Sequence, residues 1–120
     1  MKANEFVGHL FLARDVAHSA HLGTTSYAEH KALQKFYEGL PGLADNFAEA
    51  YQGRHGLIGP IKLLKADKDE EILSFLEASL AVLEKNRYEV CPKEETAIQN
   101  LIDEIVAHYL SAIYKLRFLS

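Results

Sequence analysis

The sequence contains few cysteines, prolines and tryptophans: it has one cysteine, three prolines and no tryptophan among 120 residues. Because Cys91 stands alone, the chain has no internal disulfide and no zinc site made of two or four cysteines. The sequence also lacks an apolar run of the ~20 residues that a membrane span requires, and its first residues do not resemble a signal peptide. We therefore expect a cytoplasmic protein without a membrane partner.

Positively charged residues are also few. The sequence has 13 Lys and Arg residues and 17 Asp and Glu residues, which gives a net charge of -4. Nucleic-acid-binding domains usually carry a basic face, so the composition gives no strong nucleic-acid signal. One local basic group, made of Arg54, His55, Lys62 and Lys65, is expected to be a solvated loop. The length suits one compact domain spanning residues 1–120.

Apolar residues recur every three to four positions without strand-like alternation, which predicts an all-α protein. Ser26 and Glu29 form a capping-box pattern before the second helix, and Pro41 predicts a kink within that helix. Acidic residues from Asp67 onward suit the first turn of a third helix, and Pro92 suits the first position of a fourth. The predicted helices cover residues 3–22, 27–53, 67–86 and 93–118. Short connections between them predict an antiparallel four-helix bundle.

Histidines are concentrated around the first predicted helix pair, where His18 and His21 lie three residues apart on one helical face. His30 opens the second helix across a short loop, so the three imidazoles are expected near one another. Imidazole is a common ligand of iron, zinc and copper. Gln34 lies one turn after His30 on the same face. The alternative interpretation is that each histidine is a surface or hydrogen-bonded residue.

Asp45 and Glu49 lie one turn apart on the second half of the same helix. A straight helix separates His30 from Asp45 by about 22 Å, at a rise of ~1.5 Å per residue, so they cannot bind one ion within a single chain. If two copies of the hairpin pack antiparallel, however, the histidines of one subunit meet the carboxylates of the other. The spacing thus predicts a metal site that requires a homo-oligomer, at least a dimer through the first two helices. A solvated acidic face is the alternative.

These residues carry a resemblance to a known family. The spacing of His18, Gly23, His30, Asp45 and Glu49 resembles that of the Dps family, the ferritin-like DNA-protection proteins. The resemblance implies a ferritin-like bundle and an iron site between two-fold-related subunits that oxidises Fe(II). Gln34 stands where the family has an acidic residue, and zinc or another divalent transition metal is an alternative ion.

The longer pattern RD-x-AH-x-x-HL-x-T-x-SYA-x-H-x-AL-x-x-FY, continued by D-x-x-x-E-x-YQG-x-x-G, is also similar to small phage-encoded proteins of unknown function. These look like a shortened ferritin-like branch, which would place the protein in the host cytoplasm or the virion. In that pattern either His18 or His21 is the principal ligand.

Two further interpretations compete with a metal enzyme, and a third would add ligands to it. The first is a non-catalytic bundle, such as a phage accessory or structural protein, that keeps the hairpin as a dimer interface. The second rests on Arg14 and His21, which resemble the arginine–histidine motif of helical HEPN ribonucleases. The third is an additional ligand pair made of Glu104 and His108, one turn apart on the last helix.

Overall fold

The computed structural model describes residues 1–66 and 69–120. Four α-helices form the bundle: α1 spans Ala3–Gly23, α2 Tyr27–His55, α3 Ile72–Val90 and α4 Thr96–Phe118. The described residues contain no β-strand, and the predicted all-α four-helix bundle is confirmed. Each helix turns an apolar stripe inward, and the four stripes meet in one core.

The helices form a ring in which α1 and α4 each pack on both α2 and α3, while α1 and α4 lie diagonally opposite each other. Because residues 24–26 and 91–95 are short links, α1–α2 and α3–α4 are antiparallel hairpins. We call the end of the bundle that carries residues 24–26 the histidine end. The opposite end, which carries residues 91–95, is the cysteine end.

The connection from α2 to α3 crosses from one end to the other. At the cysteine end, the Lys62 N–H donates to the Asn4 carbonyl at 3.2 Å. At the histidine end, Phe75 of α3 and Ala20 of α1 line one surface groove. Each pair of neighbouring helices is therefore antiparallel, and a single long crossover joins the two hairpins.

The crossover lies tightly against α1 at Gly8, which is buried. A Cβ atom at this position would overlap the Lys62 carbonyl group, so only glycine allows the two backbones to approach this closely.

The second helix continues through Pro41 as a single element, as predicted. Proline has no N–H, so the Tyr37 carbonyl lacks its usual partner four residues on. The Ser26 hydroxyl accepts from the Glu29 N–H at 3.2 Å, which confirms Ser26 as the N-cap. The capping box is not closed, because the Ser26 N–H donates to Thr24 Oγ1 at 3.1 Å and not to Glu29. The helix ends two residues later than predicted, at His55, because Gly56 with φ 91 provides the helix stop.

The third and fourth helices differ most from the prediction. The predicted start of α3 at Asp67 lies outside the described residues, and the structure begins this helix at Ile72. Glu71 provides the cap, because its carboxylate accepts from the N–H groups of Leu73 and Ser74. The helix then runs past residue 86 to Val90.

Pro92 was expected at the first position of α4 and lies instead in the turn before it, since α4 begins at Thr96. The Glu95 N–H donates to the Pro92 carbonyl at 3.0 Å, which closes the turn before the helix starts. A proline in a turn and a proline at the first position of a helix have the same φ. The sequence therefore does not distinguish these two positions.

Candidate metal sites at the two ends of the bundle

At the histidine end, aromatic rings from α1 and α2 stack across the short loop. The His21 and His30 rings lie 3.6 Å apart between centroids at an angle of 21°. The His18 ring stacks on Tyr37 at 4.1 Å and 9°. His21 is only 6% exposed, whereas His18 is exposed. The structure thus brings the three predicted histidines into one cluster, which we call the histidine stack: His18, His21, His30 and Tyr37.

Two hydrogen bonds fix the stacked pair. His21 Nδ1 lies 2.7 Å from the His30 carbonyl oxygen, and His30 Nδ1 lies 2.9 Å from the His21 carbonyl oxygen. A carbonyl only accepts, so each Nδ1 carries the hydrogen. In the neutral ring this leaves the Nε2 lone pair of both histidines free to accept a proton, a hydrogen bond or a metal ion.

The other predicted ligands lie along the outer face of α2. The Gln34 amide donates to the Glu38 carboxylate at 3.1 Å, and Gln34 is half-buried. Asp45 and Glu49 are exposed. Within one chain Asp45 and Glu49 do not join the histidine stack, which agrees with the distance expected along the helix. Gln34 lies only one turn from His30, and its amide binds Glu38 instead.

At the cysteine end, a different group of ligand-type side chains meets. Among the described residues, His55, Cys91 and Glu95 form the group of three whose ligand atoms all lie within 4.8 Å of one another. His55 Nε2 lies 2.7 Å from Glu95 Oε2. The Cys91 Sγ–H donates to the same oxygen at 2.9 Å. We call this group the cysteine triad.

The cysteine triad lies where three helix ends converge. His55 is the last residue of α2, Cys91 follows the end of α3, and Glu95 precedes α4. Cys91 is fully buried, while the side chains of His55 and Glu95 are 31% and 18% exposed. The triad is therefore open to solvent on the imidazole and carboxylate side only.

Burial and the neighbouring carboxylate determine the protonation of the triad. Burial, followed by the hydrogen bond to Glu95, raises the pKa of the Cys91 thiol to about 12. The thiol is therefore protonated at neutral pH. Because the thiolate is the reactive form, Cys91 is a poor nucleophile unless a cation binds beside it. The hydrogen bonds from Cys91 and then His55 lower the pKa of Glu95, so its carboxylate is charged.

A second layer of hydrogen bonds holds the backbone of Cys91. Gln99 donates its amide to the Cys91 carbonyl at 2.8 Å and to the Arg87 carbonyl at 3.0 Å. The Arg87 guanidinium donates back to Gln99 Oε1 at 2.9 Å and reaches Asp103 at 2.6 Å. The end of α3 and the start of α4 are thereby fixed to each other.

Sequence reasoning missed this triad. His55 was assigned to a solvated basic loop, and Cys91 was considered only as a disulfide or zinc-finger residue. Its members are 36 and four residues apart, and only the four-residue spacing of Cys91 and Glu95 forms a local pattern. The chain crossing that brings α2 to the α3–α4 turn is visible only in the fold.

Among the weaker sequence motifs, His108 makes a contact between helices. His108 Nε2 donates to the Phe36 carbonyl at 2.8 Å, and its ring stacks on Phe36 at 5.2 Å between centroids. His108 therefore joins α4 to α2, while Glu104 is exposed. Arg14 donates to its neighbour Asp15 at 3.1 Å.

The fold and the two polar clusters define a small helical bundle with ligand-type side chains at both ends. The sequence profile of DUF5856, a family of unknown function, matches residues 21–116, and the chain belongs to this family. It is also 35% identical to a protein of enterobacteria phage T4 described as an uncharacterized 14.6 kDa protein in the mobD-ri intergenic region. That match covers 96% of this chain and 88% of the phage protein. No solved structure matches the chain.

The predicted similarity to small phage proteins of unknown function is thus confirmed. In the described residues, no helix is both long and apolar enough to cross a membrane.

Proposed function

We propose that this protein is a phage accessory protein of the ferritin-like, Dps-like type that binds a divalent transition metal between two subunits. Iron is the first candidate ion. His30 with His18 or His21 would bind the ion from one subunit, and Asp45 and Glu49 would bind it from the other. Gln34 would complete the site as a neutral oxygen ligand.

The observation that carries this proposal is the orientation of the stacked histidines. Metal-binding histidines usually donate their second ring nitrogen to a carbonyl or carboxylate, which fixes the ring and directs the other nitrogen at the ion. His21 and His30 each make such a bond to a backbone carbonyl. Their free Nε2 atoms are thus already in the state that a metal requires, without a change of tautomer.

The outer face of α2 suits the dimer that the proposal requires. Asp45 and Glu49 are exposed and lie far along the helix from His30, so an antiparallel partner would bring them to the opposite histidines. The α2 surface between His30 and the acidic pair Asp45 and Glu49 includes Gly42, where a Cβ atom would meet nothing within 4 Å. A small residue at the centre of the pair allows two helix backbones to approach closely.

With iron bound, the chemistry would be the oxidation of Fe(II) to Fe(III) by oxygen or peroxide, with Fe(II) as the substrate. The protein's part is to supply imidazole and carboxylate ligands and to leave coordination positions open. Dimerisation makes two equivalent sites, which is one per subunit.

A second candidate is a non-catalytic interaction module that uses the same hairpin. Gln34 binds Glu38, and the Nδ1 atoms of the stacked pair bind the backbone, so these contacts also stiffen the hairpin without an ion. In this case, the histidine stack and the acidic residues would form a polar dimer interface.

Anaerobic Fe(II) loading tests the metal proposal, with iron counted by elemental analysis and mass measured by sedimentation. The variant Asp45→Asn/Glu49→Gln removes two ligand charges from exposed positions. Glu84→Gln, an exposed residue of α3, is the matched control. We expect a dimer with one iron per subunit in the wild type and in the control, and no iron in the double variant.

Iron retained by the double variant would contradict the shared site. A dimer without iron in every protein would favour the interaction module, and a monomer without iron would contradict both functions.

A further inference from the structure

The cysteine triad lies at the opposite end of the bundle from the histidine stack, and the proposed function does not use it. Its three side chains come from different chain segments and offer one sulfur, one nitrogen and one oxygen. The nitrogen and the sulfur both contact the same carboxylate oxygen, at 2.7 and 2.9 Å. An exposed acidic cluster would not include a fully buried thiol.

We propose that His55, Cys91 and Glu95 form a second metal site, which binds Zn²⁺ or a chemically similar divalent ion such as Co²⁺. Thiolate, imidazole and carboxylate are the three ligand types that zinc takes in proteins. Three protein ligands leave the fourth position of a tetrahedral ion open to water. The site is therefore one that exchanges its ion and admits a small ligand.

The distances fit an ion after a small movement. Ligands at zinc bond lengths in a tetrahedron lie about 3.3 Å apart for nitrogen and oxygen, and about 3.6 Å apart for sulfur and oxygen. The corresponding hydrogen-bonded distances here are 2.7 and 2.9 Å. An ion therefore needs these two pairs to separate by less than an ångström, and the partly exposed His55 and Glu95 side chains have room for this. The third pair, the His55 nitrogen and the Cys91 sulfur, already lies within 4.8 Å.

The surroundings fix the ligand that is hardest to move. The hydrogen bond from Gln99 to the Cys91 carbonyl, supported by Arg87, holds the thiol in place from behind. His55 packs against the Tyr51 ring at 4.6 Å between centroids. Such supporting contacts orient the ligands of real metal sites. Pro92 and the 91–95 turn hold the backbones of Cys91 and Glu95 next to each other, while the Glu95 side chain can move.

Zinc binding exchanges a proton for an ion. The ion takes the place of the thiol hydrogen that now lies between Cys91 Sγ and Glu95 Oε2, and that proton leaves to solvent. The hydrogen that His55 Nε2 now donates to Glu95 is displaced as well: in the neutral ring it moves to Nδ1 by exchange with solvent, so one proton is released for each ion bound. The thiolate and the carboxylate then share the charge of the ion, and no oxidation or reduction takes place.

Titration with Co²⁺ tests the site, because a thiolate bound to Co²⁺ gives a charge-transfer absorption that imidazole and carboxylate ligands do not. Cys91 is the one cysteine of the chain, so this absorption reports on the cysteine triad alone. We expect one equivalent of Co²⁺ per chain to produce the absorption band. Added Zn²⁺ should displace the Co²⁺ and remove the band. His55→Gln and Glu95→Gln should each weaken Co²⁺ binding by roughly tenfold or more, and Cys91→Ser should abolish the band.

His9→Gln and Glu84→Gln serve as matched controls, since they remove an imidazole and a carboxylate elsewhere and should leave the band unchanged. Should Cys91→Ser fail to fold, the partly exposed His55→Gln and Glu95→Gln variants still decide the question. A wild type without the band at saturating Co²⁺, or an unchanged affinity in both of these variants, would overturn the proposal.

The same titration separates the two proposed sites. The histidine stack and its acidic residues contain no sulfur, so Asp45→Asn/Glu49→Gln should retain the thiolate band in full. Loss of iron from that variant with the band retained would support both sites. A band without iron binding in any variant would leave the cysteine triad as the one functional metal site.

Discussion

The Tyr109 hydroxyl of α4 and the Ser79 hydroxyl of α3 lie 2.8 Å apart and form a hydrogen bond inside the core. Tyr109 is completely buried and Ser79 is 9% exposed, so neither hydroxyl has ready access to water. Burial also raises the pKa of Tyr109 well above its usual range, and the phenol stays neutral. This pair is a polar contact between α3 and α4 that lies among apolar core residues.

Removing both partners should cost less than the sum of the losses from removing each one. We expect Tyr109→Phe to lower the free energy of unfolding by about 1–3 kcal/mol, because it leaves the Ser79 hydroxyl buried and unpaired. Tyr109→Phe/Ser79→Ala should lose less than the sum of the two single variants. Urea denaturation of the four proteins measures this coupling. Additive losses would mean that the two hydroxyls do not depend on each other.

Gly39→Ala should destabilise the contact between α2 and α4. A Cβ atom there would lie 2.6 Å from His108 Cε1 and displace the ring from Phe36. We expect a loss of about 1–3 kcal/mol from overpacking, whereas alanine normally stabilises a helix interior over glycine. Thermal unfolding should also show that His108→Ala recovers part of this loss in the double variant. A stabilised Gly39→Ala protein would contradict the contact.

Gly8→Ala should also be destabilising, for a different reason. The obstacle at Gly8 is the Lys62 backbone, which cannot rotate away as a side chain can. The crossover would have to leave α1 and lose the Lys62–Asn4 hydrogen bond. Gly53→Ala is the control, because this helical glycine has nothing within 4 Å of its Cβ position. Denaturation should show a loss for Gly8→Ala and a gain of roughly 0.5–1 kcal/mol for Gly53→Ala.

The depressed pKa of Glu95 gives the stability of the metal-free protein a defined pH dependence. The unfolded chain binds a proton at Glu95 near the ordinary value of 4.5, while the folded protein does so only at lower pH. The carboxylate's contribution is therefore complete above pH 4.5 and is lost as the pH falls through the folded-state pKa.

Melting temperatures measured from neutral to acidic pH in wild type and Glu95→Gln, with a chelator present, test this dependence. The advantage of the wild type should shrink in the acidic range only. A difference that stays constant throughout would mean that the charge of Glu95 does not contribute.

Periodicity predicted the helices well because each helix buries one apolar stripe over several turns. Many residues therefore repeat the same signal. Helix ends depend on single hydrogen bonds and were harder to predict. The acidic run before α3 contains several equally good caps, and the structure uses Glu71. Pro92 fits a turn as well as a first helical turn, and here the Glu95–Pro92 hydrogen bond selects the turn.

The two candidate sites also differ in how far the sequence could predict them. The histidine stack was predictable because a short loop brings His21 and His30 together whatever the rest of the fold is. The cysteine triad depends on long-range packing, since His55 reaches Glu95 only after α2 and α4 have become neighbours. Single residues with no local partner, such as Cys91, carry almost no signal in a sequence.

The crossover also governs whether the two hairpins of the bundle stay together in one molecule. A long connection between α2 and α3 is able to span two molecules as well as one, so the α3–α4 hairpin of one chain fits the α1–α2 hairpin of another. Docking of Lys62 on Gly8 fixes the connection within its own chain and disfavours this domain exchange. The close backbone approach at Gly8 thus ties the first part of the connection to α1 of its own chain.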